Sequence, residues 1–229
     1  MSRRLEILAE MGLAPVWRLK NQTRPPVSAT AAETGGSEKV KGQIAEMEWP
    51  QLKAKVKGCT DCALRAGCTQ TVFGVGDESA DWMLVGEAPG AEEDRLGEPF
   101  VGQAGKLLDN MLAAIGLARG ENVYIANVLK CRPPGNRNPE PEEVAKCSPH
   151  LARQIALIRP KLIVAMGRFA AQTLLGTDAT IGSLRGTVHR YQGVPLVVTY
   201  HPAYLLRNLP DKAKAWADLL LAKKTVASL

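Results

Sequence analysis

The chain has 229 residues, 45% hydrophobic and 23% charged, which is enough for one α/β domain of ordinary size with a real core. Its formal net charge of +6 favours an anionic partner, with nucleic acid ahead of a membrane surface. Apolar runs no longer than LIVAM (162–166) exclude a membrane-spanning helix, and Glu6 and Glu10 interrupt MSRRLEILAEMGL, so no secretory signal is read and a cytoplasmic protein is expected.

In chain order, LEILAEMGLAPVWRL forms a short amphipathic stretch broken at Gly12 and Pro15. Residues 1–43 are expected to be an N-terminal extension and flexible linker, because 21–43 are rich in Pro, Ser, Thr, Ala and Gly. Residues 44–229 are the expected globular domain. A helix at about 44–56 precedes a buried strand, WMLVG (82–86), then the turn GEAPG and a helix at about 103–116. The strand VYIANV (123–128) leads into the loop KCRPPGNRNPEP, and Pro141 and Glu142 open a helix at about 140–158. The strand KLIVAMG (161–167), the helix RFAAQTLL, a hairpin of TVHRYQ with VPLVVTY, the segment HPAYLLR and a last helix at about 211–224 complete the series. Short apolar strands alternating with helices predict an α/β fold, a mostly parallel sheet covered on both faces. Ligands of such sheets sit beyond the carboxyl ends of the strands. GEAPG, Asn127 and His201 all fall there.

A phosphate loop is excluded. Phe100 stands where a Walker loop needs its first glycine, Leu107 stands at the hydroxyl position, and GEPFVGQAGK lacks the dinucleotide fingerprint. Glu87, Glu92, Glu93 and Asp94 would also repel bound phosphates. Five cysteines without a signal argue for a metal or cluster site in place of a disulfide framework. Cys59-x2-Cys62 with Cys131 and Cys147 can close a four-thiolate site, compatible with zinc and with an iron–sulfur cluster alike. Cys68 is left over and reads as a small buried residue. His201 follows a buried strand and precedes Pro202, whereas His150 and His189 read as structural or exposed. Asn127 places an amide in an apolar strand, where it needs either a protein partner or a ligand.

GEAPGAEEDRLGEPFVGQAGKLLD, NVLKCRPPGNRNPEPEE and HPAYLLR, together with the four cysteines, closely resemble the family 4 (iron–sulfur) uracil-DNA glycosylases over roughly Cys59 to Leu220. The resemblance implies a three-layer α/β/α sandwich around a central, mostly parallel four-stranded sheet. It implies an enzyme that flips uracil out of DNA and hydrolyses its N-glycosidic bond, leaving an abasic site and initiating base excision repair. By motif position, Cys59, Cys62, Cys131 and Cys147 would hold a 4Fe-4S cluster. Gly86, Glu87 and Ala88 would line the uracil pocket, Phe100 would stack on the base, Asn127 would read its Watson–Crick edge, and His201 would contact O2. A related branch carries a glutamine at the position of Ala88 and a histidine in the loop that reads RPPGNRNPEP here, so that branch is disfavoured.

The chemistry suits these residue types. Base–aromatic stacking is worth roughly 1–3 kcal/mol. Asn127 can donate to uracil O4 and accept from N3–H, and cytosine reverses both. Departure of uracil leaves negative charge on the base and positive charge on the sugar. Turn amides and His201 suit the first, and carboxylates suit the second. The expected catalytic residues are therefore Glu87, Glu93 and His201. Asp94 is the alternative, as a cap for the following segment. HPAYLLR offers Tyr204, Leu205 or Leu206 as a wedge into the stack and Arg207 as a phosphate partner, the other reading of the leucines being the inner face of a turn. A monomer acting on uracil-containing DNA is expected, with residues 1–20 as a docking segment for a replication or repair protein and no membrane partner. The competing reading is a non-catalytic iron–sulfur DNA-binding or damage-recognition module.

Overall fold

The computed structural model describes residues 43–229. The expected linker and the docking segment lie outside the described residues. After helix α1 (Trp49–Lys57) and the short α2 (Leu64–Gly67), the chain runs through strands β1 (Val75–Gly76) and β2 (Trp82–Gly86). Helices α3 (Ala91–Leu96) and α4 (Gln103–Ala114) precede β3 (Val123–Asn127), a 3-10 turn (Pro134–Asn136) and the long helix α5 (Pro141–Ile158). Strand β4 (Leu162–Met166), helices α6 (Arg168–Leu175) and α7 (Ile181–Leu184), and the hairpin β5 (Val188–Tyr191) and β6 (Val194–Thr199) follow. Helix α8 (Pro202–Arg207), a 3-10 turn (Leu209–Asp211) and α9 (Lys212–Ala227) close the chain. Among the described residues, no helix is long and apolar enough to cross a membrane.

The sheet has six strands in the order β1-β3-β2-β4-β6-β5. The four central strands run parallel, as expected, but the sheet is mixed, because β1 and β5 pair antiparallel at its two edges. The hairpin edge follows from its turn at Gly193. The other edge is two residues long and half-buried, too short to produce a period in the sequence. Every residue of β2, β3 and β4 is buried, because helices cover both faces of the sheet. Side chains alternate between two cores. Met83, Val85, Ala126, Ile163 and Ala165 pack with Leu151, Ile155 and Ile158 of α5 and Ala170 and Leu174 of α6. Trp82, Leu84, Ile125, Leu162 and Val164 pack with Leu108 and Leu112 of α4 and Leu219 of α9. These are the three layers predicted.

The chain leaves β2 towards β3 on one side, then crosses over to β4 on the other. A crevice opens beyond the carboxyl ends of strands where a doubly wound sheet reverses direction in this way. Gly86, Asn127, Gly167 and His201 stand at that edge. Peptide N–H groups of Val128 and Leu129 donate to the Gly86 and Glu87 carbonyls, both at 3.0 Å, so the ends of β2 and β3 stay tied past the last strand residue.

Candidate active site

A cleft of about 720 Å³ opens at this edge, within the range of about 300–1,000 Å³ found for small-molecule sites. Glu87, Ala88, Glu93, Phe100, Asn127, His201, Tyr204 and Arg207 all line it. The structure thus brings together nearly all the predicted base-binding and catalytic residues from five separate segments. Gly86, buried at the end of β2, does not itself line the cleft but packs behind it. A Cβ there would stand 2.4 Å from Asn127 Oδ1 and 2.6 Å from Phe100 Cζ, so only glycine lets those two side chains meet. Asn127 is 2% exposed, and its Oδ1 is buried without a hydrogen-bond partner among the described residues. A fold keeps such an oxygen at a cost of about 1–3 kcal/mol.

Phe100 sits in the left-handed region at φ 56°, a conformation that a bulky side chain adopts only when its surroundings force it. Three contacts do so. Glu93 Oε1 accepts the N–H groups of Val101 (2.9 Å) and Gly102 (3.0 Å) just after it. Arg119 donates to the carbonyls of Pro99 (2.9 Å) and Phe100 (2.7 Å) while also pairing with Asp109. Gly105 of α4 passes so close that a Cβ would lie 1.8 Å from the Phe100 oxygen. The Phe100 ring lies 5.3 Å from the His201 ring, tilted by 31°.

His201 caps the N-terminus of α8, its Nδ1 accepting the Ala203 N–H at 3.1 Å. The proton of the neutral ring therefore sits on Nε2, which is a donor. Burial, assisted by the nearby Arg207 charge, lowers the imidazole to about 4, so the ring is neutral at physiological pH.

The carboxylates of the loop divide by environment. Glu93 is consumed by the turn, since its Oε2 also accepts Gly90 N–H at 3.1 Å. Asp94 is buried and accepts the Thr69 N–H (2.9 Å) and hydroxyl (2.9 Å), so it braces the segment before β1 and not the one after it. Glu92 pairs with Arg95 on the exposed surface, where such a pair contributes little. Only Glu87 faces the cleft without a structural engagement. Burial raises its carboxyl to about 7, while the Arg168 charge opposes the rise. Arg168 lines the same cleft and stacks on Phe169, its guanidinium carbon 4.6 Å from the ring centre.

Of the predicted wedge residues, Leu205 is corrected. It is 1% exposed and packs inward, whereas Leu206 is 42% exposed. Tyr204 stacks on Tyr200 at 4.9 Å and donates to Asp211 at 2.6 Å. Arg137 of the RPPGNRNPEP loop grips Glu143 through two hydrogen bonds, at 2.6 and 3.0 Å, which fixes that loop on α5 at the cleft rim.

Cys59, Cys62, Cys131 and Cys147 line one small cavity that shares no lining residue with the cleft, together with Asp61, Lys130 and His150. Burial raises Cys59, Cys131 and Cys147, the last to about 11, so bound iron or zinc would have to hold them as thiolates. Donor atoms of Cys59, Asp61 and His150 lie within 4.8 Å of one another. His150 Nδ1 faces the Cys147 carbonyl at 3.3 Å, and its buried Nε2 has no partner among the described residues. The donor set fits a sulfur-ligated metal group. Cys68 is buried outside this lining and hydrogen-bonds locally with Arg65.

Comparison with known proteins agrees with this geometry. The family model described as the uracil DNA glycosylase superfamily matches residues 73–220. A type-4 uracil-DNA glycosylase of Archaeoglobus fulgidus is 51% identical over 160 residues, covering 66% of this chain and 80% of the relative. One of Thermotoga maritima is 46% identical over 165 residues, covering 71% and 85%. A type-5 uracil-DNA glycosylase of Pyrobaculum aerophilum is 34% identical over 151 residues, covering 58% and 66%.

The packing around Phe100 yields a prediction. Gly105→Ala must push the turn away from α4, at a cost of about 1–3 kcal/mol, and should lower the thermal midpoint by roughly 2–12 °C. A midpoint within about 1 °C of the parent would show that the turn has room to spare.

Proposed function

The chain belongs to the uracil DNA glycosylase superfamily, and on that premise we propose how it removes uracil from DNA and leaves an abasic site as the first step of base excision repair. The observation that carries the reading is the orphaned Asn127 Oδ1, buried at the end of β3 beside an aromatic ring and a neutral imidazole donor. Uracil offers N3–H to that oxygen and O4 to the amide nitrogen. Its ring stacks on Phe100, and its O2 accepts from His201 Nε2–H. An imidazole that stays neutral gives this hydrogen bond without a full positive charge, and the bond strengthens as the departing base becomes an anion.

DNA presents the nucleotide after rotating it out of the stack, at a cost of a few kcal/mol. The exposed Leu206, next in the chain to the cleft-lining Arg207, supplies the wedge, and Arg207 and Arg168 face the backbone phosphates. Glu87 is the group that orients and activates water against the oxocarbenium-like sugar. Glu93 contributes at one remove, by holding the turn that carries Phe100. Cys59, Cys62, Cys131 and Cys147 would hold a 4Fe-4S cluster as thiolate ligands, and through them the segment before β1, the loop after β3 and helix α5 would be joined.

Four outcomes follow. Glu87→Gln should lower single-turnover release of free uracil from a single-uracil oligonucleotide by about 100-fold or more while changing DNA affinity little. Equal release by parent and variant would remove Glu87 from the mechanism, and no release by the parent would leave a binding module. Because the carboxylate is the competent form, kcat/KM should rise with pH and flatten above about 7. Arg168→Gln removes the charge that favours the carboxylate, so the inflection should move to higher pH. Protein purified without oxygen should carry visible absorption from thiolate-ligated iron that Cys131→Ser abolishes. Colourless protein with one zinc per chain would contradict the cluster.

A further inference from the structure

Lys130 is among the bulkiest fully buried side chains of the described residues, 2% exposed, and the mechanism above does not use it. Burying an ammonium costs several kcal/mol unless every donor finds an acceptor. Its Nζ donates to the Asn127 carbonyl oxygen at 2.8 Å and to Gln154 Oε1 at 2.7 Å. Gln154, 0% exposed on α5, is itself oriented by donating to the Phe73 carbonyl (3.0 Å) and the Tyr124 hydroxyl (3.3 Å). The Lys130 peptide N–H points to Cys147 Sγ at 3.3 Å, and its carbonyl accepts the Val72 N–H at 2.7 Å. Among the described residues, no carboxylate lies within ion-pair distance of this ammonium. Lys130 shares the wall of the cysteine cavity with Cys59, Cys62, Cys131 and Cys147.

We propose that Lys130 is a positioning residue that joins the cysteine site to the base-reading site. Its ammonium pins the peptide plane on which the Asn127 carboxamide is mounted, and its backbone is held by Cys147 and stands next to Cys131. The inference rests on the reading of Asn127 as the base contact. An aliphatic residue of equal length would fill the same volume but leave the Asn127 carbonyl and Gln154 Oε1 unsatisfied. The chain at the end of β3 would then be free to turn towards other donors.

The test compares the cluster-loaded full chain with Lys130→Met, Gln154→Leu and Asn127→Ala. Four quantities are measured: iron per chain, affinity for abasic-site DNA, inhibition by free uracil, and single-turnover cleavage. Lys130→Met should keep iron content and abasic-site affinity within about twofold of the parent. It should lose about tenfold in free-uracil affinity and in cleavage rate, about 1.4 kcal/mol in each. Gln154→Leu, which does not line the cysteine cavity, should lose about threefold in free-uracil affinity at full iron content. A purely structural role for Lys130 would instead lower iron content, DNA affinity and cleavage in parallel. That pattern, or parental uracil affinity in iron-loaded Lys130→Met, overturns the proposal. If Lys130→Met does not accumulate as loaded protein, Gln154→Leu decides, and an unchanged uracil affinity there overturns it. Asn127→Ala separates the two claims. If it too keeps parental uracil affinity, the base-reading role fails and this inference falls with it. If Asn127→Ala loses affinity and Lys130→Met does not, only the role of Lys130 fails.

Discussion

A buried amide oxygen with no partner is expensive, and this fold maintains one at the end of its second parallel strand. Much around Asn127 serves to place that oxygen and keep it dry. The strand that carries it is held by the parallel β2 on one side and by the short antiparallel β1 on the other. Gly86 leaves room for it, and Phe100 is forced into a left-handed turn beside it. Lys130 holds its backbone from below. Cost and function are two views of one arrangement, since an oxygen left unsatisfied by the protein is satisfied by the ligand that brings the matching donor.

A basic protein that crowds carboxylates behind its first long strand presents an apparent conflict, which environment resolves. Glu93 and Asp94 are acceptors for backbone amides and act as braces, one for the Phe100 turn and one for the segment leading to β1. Glu92 is neutralised by its neighbour on the surface. That leaves one carboxyl aimed at the cleft, raised by burial to a value at which it can gain or lose a proton near neutrality. A neutral pyrimidine tolerates it, and a cationic sugar benefits from it. A polyphosphate would be repelled, in keeping with the failed phosphate-loop pattern.

Much of this was legible in the sequence. Unbroken apolar runs such as WMLVG and LIVAM identify strands buried on both faces, and their boundaries agree with the structure to within a residue or two. Asn127 was visible as a polar residue inside such a run, and His201 as a histidine between a buried strand and a proline. The two-residue edge strand was not visible, because no period fits in two residues. Nor were the supporting contacts. Arg119 reads as a surface cation until α4 and β3 bring it to the Phe100 carbonyl, and Gly105 as an ordinary helical glycine until the turn folds over it. Lys130 and Gln154 lie 24 residues apart and meet only in the fold. The signal that could have found Lys130 is its place at the end of NVLK, where a charge follows three residues that must be buried. Leu205 and Leu206 are identical in composition terms, and only the register of α8 sends one inward and the other outward.

The most direct examination is a crystal structure of the cluster-loaded protein with free uracil. The account predicts the base stacked on Phe100, with N3 at about 2.7–3.2 Å from Asn127 Oδ1 and O2 at a similar distance from His201 Nε2. Uracil bound elsewhere, or Asn127 Oδ1 satisfied by a protein donor in the liganded state, would contradict it.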